Sequence, residues 1–305
     1  MLAGVNLPVF GDAYGYDLAP NALRGTGPRN VDPMTVYRPL LQAREIGFQA
    51  ARIWLCEDGE GLLMDAGAVC GIHPVLVESI AIIQECAGLC GLKLYWTLLD
   101  GHGGPEGRNG LARSILRDTD HAARFAEYAA APLARRFDPR VTFAVEIVNA
   151  PEALADALPA TWAVLGGNIK LAADAVRAEH PGCMITAGTR RAAVTRLWHS
   201  GAGVNAVDIH VDAGVELPSR AELAAETSDA ALRTPAVPLI AGSWGLAPGV
   251  DDRGIAATLA HAARESYAAV FCWRLQELID SAAADPSATA LAHYVKTALA
   301  ERPHP

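Results

Sequence analysis

The chain has 305 residues, of which 51% are hydrophobic and 19% are charged, and its net charge at pH 7 is −9. This composition indicates a folded globular protein and excludes an intrinsically disordered one. Basic residues are scattered and no apolar run approaches the ~20 residues that span a bilayer, so we expect neither nucleic acid nor a membrane as a partner. Met1 leads directly into LAGVNLP without the basic segment and hydrophobic core of a secretory signal, which predicts a cytoplasmic location.

Short apolar runs alternate with longer amphipathic runs along the chain, which predicts parallel strands connected by crossover helices. Most of the short runs are continuously hydrophobic, as expected of strands that are covered on both faces. The predicted strands are residues 2–6, 50–55, 93–99, 141–148, 183–188, 206–211, 237–242 and 269–275. The predicted helices are residues 33–47, 73–91, 112–137, 160–180, 190–201, 219–233, 253–266 and 287–302.

This alternation predicts an α/β fold, a single-domain (β/α)8 TIM barrel that covers residues 1–305. An open doubly wound sheet is disfavoured because no G-x-G-x-x-G follows the first strand. Active sites of such barrels lie at the carboxyl ends of the strands, so the residues that close each strand are the candidate site residues. In chain order they are Asn6, Arg52, Trp54, Glu57, Asp58, Asp100, His102, Asn149, Ala150, His210, Asp212, Ser243, Trp244 and Trp273.

The six cysteines mostly lie inside apolar runs, so we expect buried, reduced thiols and no metal site. Cys56 and Cys70 flank one loop and are the pair that remains to be tested for a disulfide. We predict no cofactor, and the expected partner is a small molecule or a carbohydrate.

The residues at the strand ends resemble the glycoside hydrolases of clan A, most closely the cellulase-like family 5, over almost the whole chain. The matching residues follow the order of the family's strands and are Arg52 in ARIW, His102 in LLDGH, Asn149 in VNAPE, His210 in DIHVD and Trp273 in FCWRL. Each motif alone is weak, but five matches in the right order form a strong joint signal. The resemblance implies a barrel with a sugar-binding site at its mouth.

Three positions depart from the family pattern. Ala150 stands where the resemblance implies the acid/base glutamate, and Ser243 in AGSWG stands where it implies the nucleophile glutamate. Asp212 replaces the tyrosine that contacts the nucleophile in the family. Retaining glycosidases need two carboxyl groups about 5 Å apart, and loss of general acid catalysis alone lowers the rate by ~10²- to 10⁴-fold. Ordinary retaining hydrolysis is therefore not expected.

Other carboxylates near the same rim leave a displaced catalytic pair open. An inverting mechanism tolerates a separation of ~6.5 to 9.5 Å between the two groups. The carboxylates that enter this alternative are Glu57, Asp58, Glu60, Glu106, Glu152, Asp212 and Glu277.

The candidate residues divide into two groups. The candidates for acid and base chemistry are His102, His210, Asp212 and Glu57. The candidates for ligand binding are Arg52, Trp54, Asp100, Asn149, Ala150, Glu152, Ser243, Trp244 and Trp273. Trp96 lies in the middle of a strand and is expected to be structural.

Arg52 and Glu146 are charged residues inside apolar strands, and a buried charge needs a partner. The resemblance implies that Arg52 holds the carboxylates of the fourth and seventh strands. Without them, Arg52 pairs with Glu146, Asp100 or Asp212, or it binds an anionic group of a ligand.

Three functions remain open from the sequence. The first is a family 5-like barrel that binds a sugar or a glycosylated small molecule without ordinary retaining hydrolysis. The second is an enzyme whose old cleft carries out new acid and base chemistry, of the isomerase or lyase type. The third is a structural barrel that binds a partner and leaves the cleft unused.

Overall fold

The computed structural model describes residues 1–10, 14–15, 17–23, 31–102, 110–155, 159–212, 214–245 and 252–273. Three sequence predictions lie outside these residues. They are the helix at 287–302, the last two residues of the eighth predicted strand, and the carboxylates of Glu106 and Glu277.

Eight parallel strands form a closed barrel, and two further strands form a hairpin outside it. The strands are β1 (Leu2–Leu7), β2 (Ala50–Trp54), β3 (Leu62–Asp65), β4 (Ala68–Ile72), β5 (Lys93–Asp100), β6 (Thr142–Asn149), β7 (Met184–Arg190), β8 (Val207–Val211), β9 (Leu239–Trp244) and β10 (Tyr267–Cys272). Around the barrel, β1 pairs with β2, β2 with β5, each later strand with the next, and β10 with β1. The predicted (β/α)8 architecture and its eight strands are confirmed.

Helices connect the strands and cover the outside of the barrel. They are α1 (Pro33–Ile46), α2 (Pro74–Cys90), α3 (Gly110–Arg117), α4 (Thr119–Phe125), α5 (Ala131–Ala134), α6 (Pro159–Glu179), α7 (Arg191–His199), α8 (Arg220–Thr227) and α9 (Asp252–Arg264). Short 3-10 turns occupy Glu57–Gly59, Pro151–Ala153 and Ala230–Arg233. No helix within the described ranges is long and apolar enough to cross a membrane.

The ends of the first two helices follow from local chemistry. The Asp32 side chain accepts a hydrogen bond from the Met34 backbone N–H at the start of α1, and His73 accepts one from Val75 at the start of α2. Proline occupies the first helical position in both cases, where its missing N–H costs nothing. Each helix ends at a glycine in the left-handed region, Gly47 or Gly91.

The single helix predicted at 112–137 is divided in the structure. Asp118 has extended backbone dihedrals and its side chain accepts a hydrogen bond from His121 N, so it ends α3 and begins α4. A π-helical turn at Ala126–Ala130 then separates α4 from α5. The run is helical, but the prediction of one continuous helix is wrong because Asp118, in the middle of the run, caps the start of α4.

The sequence did not predict the β3–β4 hairpin. Its turn is formed by Ala66 and Gly67, both with positive φ, which is the conformation of a two-residue hairpin turn. The Arg124 side chain of α4 donates a hydrogen bond of 3.1 Å to the Val69 carbonyl and so fastens the hairpin to the helix layer.

The barrel interior is apolar at one level and polar at the next. The apolar level contains Ala50, Tyr95, Ala144, Ile240, Ala269 and Phe271. Above it, the Asn6 side chain donates to the carbonyls of Gly242 at 3.1 Å and Cys272 at 2.9 Å. Asn6 therefore ties the first strand to the last two strands of the barrel.

Trp96 lies between the barrel and the helix layer. It is fully buried, stacks on Phe137 with ring centroids 4.9 Å apart, and donates from its indole to Thr142 Oγ1 at 3.2 Å. These contacts support the structural role expected from its position in the middle of β5.

All six cysteines are free. Cys56, Cys86, Cys90 and Cys272 are buried, whereas Cys70 is exposed. Burial raises the pKa of the Cys272 thiol to about 12. The expectation of reduced and mostly buried thiols is confirmed, and Cys56 and Cys70 do not form a disulfide.

Candidate functional site at the carboxyl ends of the strands

Arg52 is the centre of a polar network inside the barrel mouth. Its side chain is fully buried, and its Nε and Nη2 donate to Glu146 Oε2 at 3.1 and 2.5 Å. Nη1 donates to Asn6 Oδ1 at 3.0 Å and Nη2 also donates to Asn149 Oδ1 at 2.9 Å. Of the three carboxylates that the sequence left open as partners of Arg52, the one it pairs with is Glu146.

The Glu146 carboxylate has further donors besides Arg52. Oε2 accepts from Thr97 Oγ1 at 2.6 Å, and Oε1 accepts from the Gly188 backbone N–H at 2.9 Å. Burial works against the charge of Arg52, yet the neighbouring Glu146 raises the pKa of Arg52 above its ordinary value. Arg52 therefore stays charged, and the hydrogen bonds around it and Glu146 are the condition under which a buried ion pair is tolerated.

Two tryptophans predicted to bind ligand pack around this network. The Arg52 guanidinium lies over the Trp54 ring, 4.3 Å from its centroid. Trp54 contacts Trp273 edge to face, with centroids 6.1 Å apart. Trp54 and Trp244 are nearly fully buried, whereas Trp273 is partly exposed. Among these three rings, Trp273 offers the most surface to a ligand.

Asp100 connects the network to the loop that follows β1. Its Oδ1 accepts from Asn149 Nδ2 at 2.7 Å and from the His102 backbone N–H at 3.0 Å. Its Oδ2 accepts a short hydrogen bond from the Tyr14 hydroxyl. Burial, and then the charge of Asp100, raise the pKa of Tyr14, so this hydroxyl stays protonated and donates. The His102 side chain is exposed at the rim.

A second set of polar residues lies deeper, between β5 and β8. Asp208 is buried, and it accepts hydrogen bonds from the Tyr95 hydroxyl and, at 2.7 Å, from the Gly242 backbone N–H. Burial, reinforced by the charge of Glu146, raises the pKa of Asp208 to about 7. This carboxyl is therefore partly protonated close to neutral pH.

His210 lies between these two sets. Its Nε2 is 3.9 Å from Glu146 Oε1 and has no hydrogen-bond partner within the part of the chain that the structure describes. Burial, followed by the positive charge of Arg52, lowers the pKa of His210 well below its usual value. A neutral imidazole at this position can accept a proton.

Two glycines make room for these groups. A Cβ on Gly188 would lie 2.3 Å from His210 Nε2 and 2.4 Å from Glu146 Oε1. A Cβ on Gly242 would lie 2.4 Å from the Asp208 oxygens. The close approach of polar side chains to the backbone therefore requires glycine on β7 and β9.

The two positions that the resemblance assigns to catalytic glutamates differ in exposure. Ala150 is fully buried, with φ at 51° and its N–H donating to the Gly188 carbonyl at 2.8 Å. A left-handed conformation costs an alanine ~1 kcal/mol or more, so the surrounding contacts hold it. Ser243 is partly exposed and lies beside His210 across the β8–β9 pair.

The predicted rim carboxylates do not join the Arg52 network. Glu152 accepts from Thr189 Oγ1 at 2.6 Å and from the Arg190 backbone N–H at 3.1 Å. Asp212 is exposed and lies 4.0 Å from the Arg190 side chain. Glu57 has no exposed surface and lies with Asp17 and Glu60 below the loops.

The expectation that site residues lie at the carboxyl ends of the strands included some members of this polar network and missed others. Arg52, Asp100, Asn149 and His210 are brought together as expected. Tyr95 and Asp208 were missed because each lies on the inward face three or more residues before the end of its strand. Tyr14 was also missed, since a loop residue 86 positions from Asp100 gives no sequence signal.

Comparison with solved structures identifies the class of fold. No protein-family model and no curated protein sequence matches the chain. The β-mannanase of the blue mussel Mytilus edulis superposes with a TM-score of 0.70 at 17% identity, over 97% of this chain and 91% of that one. A GH5-4 broad specificity endoglucanase from an uncultured bacterium gives 0.63 at 15% identity, over 98% and 94% of the two chains.

A GH5_18 protein from Streptomyces cattleya, solved in complex with Manb1-4GlcNAc, is also similar. Its TM-score is 0.62 at 19% identity, over 90% of this chain and 70% of that one. These likenesses show the fold: the chain has the (β/α)8 barrel that these mannanase and endoglucanase structures also have.

Proposed function

We propose that the protein binds a carbohydrate or a glycosylated small molecule at the barrel mouth and does not carry out ordinary retaining hydrolysis. The observation that carries this proposal is the contrast between two parts of the site. The network of Arg52, Glu146, Asn149 and Asp100 is complete, whereas Ala150 and Ser243 supply no carboxylate. A retaining mechanism needs two carboxyl groups about 5 Å apart.

We place the ligand at the exposed part of the site. His210, Ser243 and Trp273 are each partly exposed at the ends of β8, β9 and β10. An aromatic ring beside hydroxyl and imidazole groups suits the apolar face and hydroxyl groups of a sugar. The bound sugar in the Streptomyces cattleya structure supports the proposal by similarity of fold.

Isothermal titration calorimetry with manno- and cello-oligosaccharides tests the proposal. We expect saturable binding to the wild type and a loss of at least about tenfold in affinity for Trp273→Ala, which removes a stacking surface. Trp198→Phe, a change on α7 away from the mouth, is the matched control and should bind normally. Release of reducing ends at a rate typical of a glycosidase would contradict the absence of hydrolysis.

One observation favours a second candidate function, an enzyme with new acid and base chemistry. His210 presents an unpartnered, neutral nitrogen close to Glu146, and Asp208 titrates near neutral pH. This candidate predicts turnover of the bound ligand with a pH dependence that His210→Ala abolishes. If His210→Ala alters affinity but no product forms in the wild type, the binding function stands.

A cytoplasmic location is part of the proposal. Fractionation of cells that naturally produce the protein would test it.

A further inference from the structure

Three buried carboxylates meet below the loops that follow β1 and β2. Asp17 comes from the loop after β1, and Glu57 and Glu60 come from the turn after β2. One oxygen from each residue lies within 4.8 Å of the other two. Asp17 is 7% exposed and both glutamates are completely buried. None of these residues takes part in the Arg52 network.

Glu57 is the most informative member of this acidic cluster. Both of its carboxylate oxygens are buried, and neither has a hydrogen-bond donor within the described ranges. No described Arg, Lys or His forms an ion pair with Glu57 or Glu60. A buried carboxylate without compensation costs several kcal/mol, so a proton or a cation must balance it.

The other two members are held in place by backbone N–H groups. Glu60 Oε1 accepts from Leu18 N at 2.5 Å and Ala19 N at 2.6 Å, which leaves Oε2 without a described donor. Asp17 Oδ2 accepts from Phe10 N at 2.5 Å. These bonds fix the Asp17 and Glu60 carboxylates beside the Glu57 side chain.

We propose that Asp17, Glu57 and Glu60 form a binding site for a divalent cation of the calcium type. Carboxylate oxygens are hard ligands, which favour Ca²⁺, Mg²⁺ or Mn²⁺ over soft transition metals. Ca²⁺ accepts a flexible arrangement of oxygen ligands, whereas Mg²⁺ demands near-octahedral geometry and dehydrates reluctantly, so a site built from carboxylates favours Ca²⁺. One oxygen from each of the three carboxylates lies within 4.8 Å of the other two, close enough for all three to bind one ion.

The site joins two loops that shape the barrel mouth. Asn21 reinforces the junction by donating to the carbonyls of Gly15, at 2.7 Å, and Asp58, at 3.0 Å. Tyr14, three residues before Asp17, is hydrogen-bonded to Asp100. A cation bound by Asp17 and the two glutamates thus fixes the loop that carries Tyr14 against the candidate binding site.

Thermal unfolding of the full chain after dialysis against EDTA tests the proposal, with CaCl2 and MgCl2 as probes. We expect CaCl2 to raise the Tm in a concentration-dependent way, because a ligand that binds only the folded state stabilises it. MgCl2 should act more weakly, and excess EGTA should reverse the rise. Calorimetric titration of the wild type should give one Ca²⁺ per chain.

Two variants locate the site. Glu57→Gln keeps the shape but removes a charged ligand, so the rise in Tm with CaCl2 should be lost. Asp65→Asn changes an exposed carboxylate on the nearby hairpin and should retain it. If Glu57→Gln does not fold, calorimetry on the wild type and on Asp65→Asn still decides the question.

The proposal is overturned if the wild type neither binds Ca²⁺ nor gains Tm at about 10 mM CaCl2, well above the weakest dissociation constants of calcium modules. An equal rise in Glu57→Gln and wild type would also overturn it. In either case the carboxylates share protons instead. Sugar binding is measured separately, so this result leaves the proposed function untouched.

Discussion

Arg52 and Glu146 form a buried ion pair on which the barrel mouth depends. Arg52→Met would leave the Glu146 charge buried without its main partner. We expect the free energy of unfolding to fall by about 3 to 5 kcal/mol, the usual cost of breaking such a pair. Urea unfolding followed by circular dichroism measures the change.

The matched control is Arg140→Met. Arg140 is paired with Asp138 at 2.7 Å but is 87% exposed, so its loss should cost under about 1 kcal/mol. Equal costs for the two variants would contradict a central role for Arg52. Adding Glu146→Leu to Arg52→Met should recover part of the lost stability, because the uncompensated charge is gone.

Gly188 tests how closely the site is packed. In Gly188→Ala the new methyl group meets His210 and Glu146 at distances that no real contact tolerates. We expect a loss of about 1 to 3 kcal/mol, as for other overpacked positions, together with weaker ligand binding as His210 is displaced. Calorimetry and urea unfolding report the two effects.

Gly167→Ala is the comparison for this prediction. Gly167 lies within α6, and nothing lies within 4 Å of the position of an added Cβ. Alanine there should add about 0.5 to 1 kcal/mol, because glycine is unfavourable inside a helix. If both variants were equally stable, the contact between Gly188 and His210 would have no energetic weight.

At the scale of elements, Arg220 joins α8 to the segments that lead into β9 and β10. Its guanidinium donates to the carbonyls of Glu265 at 2.7 Å, Thr234 at 2.6 Å, Val237 at 3.0 Å and Ser266 at 3.0 Å. Burial lowers the pKa of Arg220, but the group remains charged because arginine titrates far above neutral pH.

We expect Arg220→Met to lower the free energy of unfolding by about 3 kcal/mol or more, since several partly buried carbonyls lose a charged donor. Arg233→Met, on the adjacent 3-10 turn, is exposed and should be close to neutral. Hydrogen exchange should locate the effect at the amino ends of β9 and β10. Uniform loss of protection throughout the barrel would argue against a local role.

The sequence predicted elements well where hydrophobic periodicity and caps agreed. The eight barrel strands and the glycine ends of α1 and α2 follow from such signals. The break at Asp118 was missed because the apolar pattern continues through it. The β3–β4 hairpin was missed because Ala66 and Gly67 lack the Asn-Gly or Asp-Gly sequence that marks most such turns.

Prediction of the site was weaker, because it depends on contacts between distant parts of the chain. The expectation that site residues lie at the carboxyl ends of the strands led to Arg52 and His210, since parallel strands of a barrel all end at one face. This expectation could not show which of its possible partners Arg52 would pair with, and the structure shows that the partner is Glu146. The same expectation could not show that Glu57, expected at the rim, would be buried with Asp17 and Glu60.

At the scale of the whole molecule, the pH dependence of stability should include a contribution from Asp208. Its pKa of about 7 in the folded chain lies above the ~3.9 of an unfolded aspartate. Between these values the folded chain holds a proton that the unfolded chain has lost. The free energy of unfolding therefore falls as pH rises from about 4 to about 7.

Asp208→Asn removes this contribution, because an amide does not ionise. Denaturant midpoints of wild type and variant at about pH 5 and about pH 7.5 measure it, and the stability of the wild type relative to the variant should decrease at the higher pH. Contributions from other groups, such as the depressed pKa of His210, largely cancel in this difference. If the difference in stability between wild type and variant does not vary with pH, the raised pKa of Asp208 is refuted.

The contacts of Asn6 with Gly242 and Cys272 bear on how the chain reaches its native state. During synthesis, the amino-terminal strand must wait for more than 260 further residues before its neighbour on one side exists. Pairings so distant along the chain slow folding and leave an open sheet edge that invites association with other chains. Newly made molecules are therefore most vulnerable to aggregation in the interval before the last strand docks.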